Sequence, residues 1–440
     1  MNTTGHALQP PAHPASRTSS DPKADALIAQ RAWIALLRGD PPATTAPPLS
    51  DAQWASLIDE ARRHQLSGFT YHVLSRQPNA NNAPESVLDR LRQVYVKTAL
   101  YNAALFRHTS LMTAHLGAHG IPVMLLKGIH LARFTYAEPA MRSMADIDIM
   151  VPRDRLADAE ALFLEHGYGP PPATSLEERC SWSNHLPKLS KPGAPVFEIH
   201  WGIERPTSPF DIDLDVLWAR SRTETLQGAP VQLLSLEDLL LHLVLHNSYH
   251  HRFDRSAFKG LADIHTVIVR HGEEIDWQTI ADRAVEWGAS GFAYATLRLT
   301  AQILGTPVPE QMLQALPREQ EDEDVIEIGR RYILMPGQEL PPVYVKLARS
   351  RSLRERAVLL QRHVFLPRST MERIYGLQSR NRFLWPYYAH RIAHLLVRRG
   401  KLSLHALLRM ETMKAPIDRE EQRLRIEAWV KDLPGKGRPD

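Results

Sequence analysis

From about Asp25 to Gly120 the apolar positions recur at helical spacing. Trp54, Leu57, Ile58 and Ala61 share one face, and Leu88, Leu91, Val94 and Tyr95 share another. A Pro/Asn-rich stretch from Gln77 to Pro84 separates these helices. At Ile121 the period changes. Pro122-Val123-Met124-Leu125-Leu126 is a short apolar run closed by Lys127-Gly128, which predicts a buried strand, and Ile129 to Tyr136 predicts a helix. Asp146 to Val151 then alternates, so Asp146 and Asp148 point one way while Ile147, Ile149 and Val151 enter a core. Asp154 to Glu165 is amphipathic through Leu156, Ala159, Leu162 and Phe163, with His166-Gly167 as its stop. Residues 169–195 hold several prolines and little periodicity, which predicts a loop or lid. Val196 to Trp201 alternates again, with Glu198 and His200 opposite Phe197, Ile199 and Trp201. After a polar loop, Val231 to Leu234 predicts a further strand. Ser235-Leu236-Glu237-Asp238 caps a helix running through His246.

The remainder is helical, punctuated by Pro307, Pro309, Pro317, Pro336 and Pro341-Pro342. The expected fold class is therefore α+β and predominantly helical: a small mixed β-sheet flanked by N- and C-terminal helical regions. Five segments follow. Residues 1–24 form a Pro/Ser/Thr/Ala-rich tail with little to bury. Residues 25–120 form an N-terminal helical region, 121–235 the α/β core, 236–335 a second helical region, and 336–440 a C-terminal helical region ending in a charged tail.

Composition narrows the class. With 440 residues the chain exceeds one ordinary core, and 43% hydrophobic against 23% charged residues marks it as globular. The net charge of +4 is small for this length. Arginines gather in the last third (Arg349, Arg351, Arg354, Arg356, Arg391, Arg398, Arg399), so a nucleic-acid partner has only slight support. The one cysteine, Cys180, excludes an intramolecular disulfide framework and fits a reducing cytoplasm. No run approaches the roughly 18 apolar residues of a membrane span. A soluble cytoplasmic protein without a membrane partner is expected.

The chemistry lies in the middle segment. Asp146 and Asp148, two apart on a strand, have Cα atoms about 6.5–7 Å apart, and carboxylates so placed suit a hard divalent cation. Beside Leu125-Leu126-Lys127-Gly128, Arg142, Asp146-Ile147-Asp148-Ile149, Gly167-Tyr168 and Glu198-Ile199-His200-Trp201, the chain resembles the nucleotidyltransferase superfamily whose palm-like core is shared with DNA polymerase beta. Within it, the chain is most similar to the bacterial uncharacterised, or putative, nucleotidyltransferases. The helix Leu239 to His246 and Leu261-Ala262-Asp263-Ile264 also fit that layout.

The resemblance implies transfer of a nucleoside monophosphate from a nucleoside triphosphate, with two Mg²⁺ ions. Asp146, Asp148 and Glu198 would be the catalytic and metal-binding carboxylates, with Glu198 also accepting the nucleophile's proton. Lys127, Gly128 and Arg142 would bind the phosphates. The superfamily commonly has Gly-Ser at the first turn, where this chain has Lys127-Gly128. The resemblance leaves the acceptor open among a small molecule, a peptide and a protein.

Two other readings compete. A degenerate transferase core kept for binding would act as a scaffold. Alternatively His242, His246 and His250, four apart on a helix face, would hold a transition metal in a hydrolase. Packing histidines that wall the cleft explain them more simply. Arg142 has a plain reading as a partner of Asp146. Cys180 has no base beside it in sequence, and Trp182, Trp201 and Trp218 are core aromatics or base-stacking platforms.

Overall fold

Local capping decides where the N-terminal helices begin. In the computed structural model, Asp21 accepts a hydrogen bond from the Lys23 amide and starts α1 (Pro22–Arg38), with Pro22 at a position where no amide proton is needed. Pro22, Lys23 and Ala24 thus belong to a helix, not to the expected tail. Ser50 and Gln53 form a capping box at the start of α2 (Asp51–Arg63). Helices α3 (Ser67–Arg76) and α4 (Glu85–Ala118) complete the N-terminal set. The structure describes residues 21–40, 47–76, 83–169, 174–254, 256–335, 342–350, 352–375, 383–407 and 414–431. Residues 1–20 of the expected tail, most of the Pro/Asn-rich break and nearly all of the charged end lie outside these.

The sheet is small and mixed. Its strands are β1 (Met124–Leu125), β2 (Ile147–Met150), β3 (Phe197–His200), β4 (Arg222–Leu226) and β5 (Ala229–Leu233), in the order β3-β2-β1-β5-β4. β2 pairs parallel with β3 and antiparallel with β1, while β1 pairs parallel with β5. The central β1 is two residues long because Leu126 already turns into α5 (Lys127–Phe134). β4, which lies in the expected polar loop, pairs with β5 as a hairpin. Its alternating burial explains why a polar sequence can form a strand here: on this sheet edge Thr223 and Thr225 face solvent while Arg222 and Glu224 are half-buried.

Residues 169–195 also differ from the expected loop. They contain α7 (Leu176–Trp182), which follows α6 (Leu156–Glu165). After it the chain lies antiparallel along β3, with bridges His185–His200 and Leu189–Phe197. The prolines mask a segment whose backbone amides reach β3: Leu186 N–H donates to Ile199 O at 2.8 Å, and Leu189 N–H to Phe197 O at 2.9 Å. Cys180 is buried on α7, where burial raises its thiol pKa.

Two large cores, beside a small third one around Tyr344, Leu347 and Ala348, divide the described residues differently from the sequence segments. One lies on the sheet face that α4 covers, where Ile147, Ile149, Phe197, Ile199 and Trp201 join Leu105, Phe106, Met112 and Leu116 of α4. The other unites α1–α3 with α8 (Leu214–Ala219), which lies between β3 and β4, and with the helices after the sheet, among them α9 (Leu236–Leu245), α10 (Ala257–His271), α11 (Trp277–Glu286), α12 (Ser290–Leu304), α13 (Glu310–Ala315) and α14 (Gln320–Leu334). Trp33 of α1, fully buried, packs on Phe258 of α10 with ring centroids 4.7 Å apart. The fold is α+β and mainly helical. Among the described residues no helix is long and apolar enough to cross a membrane.

Candidate active site

Strand alternation puts Asp146, Asp148, Glu198 and His200 on the sheet face away from the α4 core. The parallel register of β2 and β3 sets Asp148 directly beside Glu198, and Met150 beside His200. His200 Nε2 lies 3.0 Å from Asp148 Oδ1 and 3.7 Å from Glu198 Oε2. One ligand atom from each of Asp148, Glu198 and His200 falls within 4.8 Å of the other two. Two carboxylates and an imidazole at that spacing fit a divalent cation. His200 is a site residue that sequence reasoning missed, although its position facing the same side as Glu198 was legible.

Asp146 sits at the rim and is joined to this group through a cation. Lys188 Nζ lies 2.9 Å from Asp146 Oδ2 and 2.7 Å from Glu198 Oε1. On the inner side, Lys127 Nζ lies 3.2 Å from Asp148 Oδ1. Burial would raise the Asp148 carboxyl, but the Lys127 charge and the His200 hydrogen bond hold it well below the usual carboxylate range. Burial, and then the Lys127 charge, lower the basicity of His200 and favour its neutral form.

Lys127 is the first residue of α5 and has φ +43, a left-handed conformation that L residues seldom adopt. That conformation turns the chain sharply from β1 into the helix. No side chain caps the α5 N-terminus, so its first-turn amides carry no side-chain acceptor. The position of a Cβ on Gly128 would be 3.2 Å from Met144 Cγ and 3.9 Å from Arg142 Nη1. Gly128 therefore makes room for Met144 against the start of α5.

Arg142 is buried and grips Asp263 of α10 through Nε and Nη2 at 2.7 and 2.8 Å, while Nη1 donates to Ser143 O. Its partner is thus Asp263 and not Asp146. Tyr136 adds its hydroxyl to Asp263 Oδ1 at 2.8 Å.

A family model described as "Uncharacterised nucleotidyltransferase" matches residues 50–305, more than half of the chain. The chain belongs to this family. The matched span covers the whole sheet and every residue of the carboxylate cluster. Among solved structures, the chain is similar to an antigenic nucleotidyltransferase-like protein from Paracoccidioides brasiliensis. Identity is 18%, coverage is 49% of this chain and 95% of that one, and the TM-score is 0.30. No curated protein matches.

The histidine row of this family member continues from the site. His242 is buried on α9 with neither ring nitrogen hydrogen-bonded, and its ring stacks on His246 at 6.3 Å. Burial, followed by the Lys127 charge, lowers both rings' basicity well below the ordinary value. His250 pairs with Glu204 at 2.9 Å. Among the described residues, the only close group of three metal-ligating side chains is Asp148, Glu198 and His200. A His242/His246/His250 metal centre, the less favoured of the two readings, therefore does not form among the described residues, and His242 and His246 stand close enough to Lys127 to feel its charge. Of the tryptophans, Trp201 is buried under the Arg153 guanidinium and Trp182 is exposed.

Proposed function

We propose that this chain transfers a nucleoside monophosphate from a nucleoside triphosphate to a hydroxyl acceptor. The observation that carries this reading is the in-register meeting of Asp148 and Glu198 across β2 and β3, with His200 completing a donor set beside Lys127 and the α5 N-terminus.

A Mg²⁺ ion held there by Asp148, Glu198 and His200 would stabilise negative charge on the entering and leaving oxygens. The remaining work falls to the chain. The Lys127 ammonium and the uncapped amides of α5 bind and orient the triphosphate, the helix dipole adding to their attraction. Glu198 accepts the proton of the acceptor hydroxyl as its oxygen bonds to the α-phosphorus. The bond from that phosphorus to the bridging oxygen breaks, and pyrophosphate departs with its electron pair. Asp148 and Asp146 hold the cationic groups that surround the phosphates. Arg142 positions these parts by fastening the loop before β2 to α10 through Asp263.

The test incubates the protein with Mg²⁺, labelled nucleoside triphosphates and pools of small molecules, peptides and proteins, read by mass spectrometry for nucleotide adducts. Asp148→Asn and Glu198→Gln should each lower transfer by about 10²–10⁴-fold. Equal transfer by wild type and both variants would remove these carboxylates from the chemistry.

A further inference from the structure

We propose that Lys188 is a built-in second cation, so that the site takes one divalent ion where two are expected. This rests on the nucleotidyl-transfer reading and concerns the means by which its charge is balanced.

The two oxygens of Glu198 have different partners. Oε2 belongs with His200 and Asp148, while Oε1 lies 2.7 Å from the Lys188 ammonium, which also touches Asp146 at 2.9 Å. In a two-ion phosphoryl-transfer site, ions about 3.5–4 Å apart share the surrounding carboxylates. Here the outer carboxylates, Asp146 and one side of Glu198, already share an ammonium. Lys188 is placed there by backbone structure. The bridge between Leu189 and Phe197 sets Lys188 directly opposite Glu198 in the antiparallel pairing, so the contact is a cross-strand ion pair.

Charge counting agrees. Asp146, Asp148 and Glu198 face Lys127 and Lys188, which leaves one net negative charge. One divalent ion turns that into one net positive charge, suited to a triphosphate. A second ion would have to displace Lys188 or sit against it. Two N–H donors of the ammonium reach Asp146 and Glu198, leaving the third for a phosphate oxygen. The side chain is 61% exposed, so the ammonium is within reach of an incoming substrate.

Mn²⁺ alone is the probe, counted by equilibrium dialysis and by electron paramagnetic resonance on the full chain. Wild type and Lys188→Arg should bind one ion. Lys188→Met keeps the stem without the charge, and should bind two, the second within about tenfold of the first in affinity and spin-coupled to it. Two comparably tight ions in wild type, or a single ion in Lys188→Met, would overturn the proposal while leaving the transfer reading standing. No bound Mn²⁺ in any of the three proteins would overturn both.

Discussion

Arg142 and Asp263, far apart in sequence, form a buried two-point ion pair that joins the loop entering β2 to helix α10. Removing one partner strands the other charge in a buried site, whereas removing both costs much less. Asp263→Ala should therefore lower stability by about 3–5 kcal/mol, and Arg142→Met/Asp263→Leu by far less. Chemical denaturation of the two variants measures the difference. Equal losses would mean that the pair does not act as a unit.

Lys127 stores backbone strain at the point where its ammonium is useful. Lys127→Ala and Lys127→Gly both lose the contact to Asp148, but only glycine relaxes at φ +43. The glycine variant should be more stable than the alanine variant by about 1 kcal/mol. Both should be equally poor in nucleotidyl transfer. Denaturation midpoints and transfer rates of the pair check this.

Lys259, on α10, donates to Gln65 Oε1 at 3.0 Å. Burial, followed by the neighbouring Arg142 charge, lowers its pKa to about 7. Between pH 7 and the ordinary lysine range, the unfolded chain keeps a proton that the folded chain has released. Stability attributable to this group therefore rises with pH through that window. The advantage of Lys259→Met over wild type should be largest at or below pH 7 and shrink toward pH 10. Melting temperatures of both proteins across that range provide the measurement, and a constant difference would contradict it.

Ligand linkage gives a fourth expectation. Millimolar nucleoside triphosphate with Mg²⁺ should raise the melting temperature, and EDTA should cancel the gain. The gain should also be absent in Asp148→Asn. A shift that survives EDTA would locate binding away from the carboxylates.

Much of the site could be read from local pattern. The alternation in Asp146 to Val151 and Val196 to Trp201 marks two strands, because apolar residues on one face leave the acids on the other. That Asp148 stands beside Glu198 depends on strand register, a non-local choice that neither segment encodes alone. Lys188 escaped notice because the prolines of residues 169–195 hide a segment anchored mainly by backbone bonds to β3. Its one sequence trace is the flanking pair Leu186 and Leu189, both buried. Arg142 carries no mark that its partner is Asp263 and not the nearer Asp146. The common core of the helices before and after the sheet was equally invisible, since amphipathic periodicity tells which face is covered but not by what.

The contact between Trp33 and Phe258 has a consequence for how the chain comes into being. Trp33 leaves the ribosome long before α10 has been translated. Through most of synthesis the first three helices carry an uncovered greasy face, which a nascent chain must keep from sticking to its neighbours. Chaperone demand during production should accordingly fall on the amino-terminal helices until α10, α12 and α14 have been made.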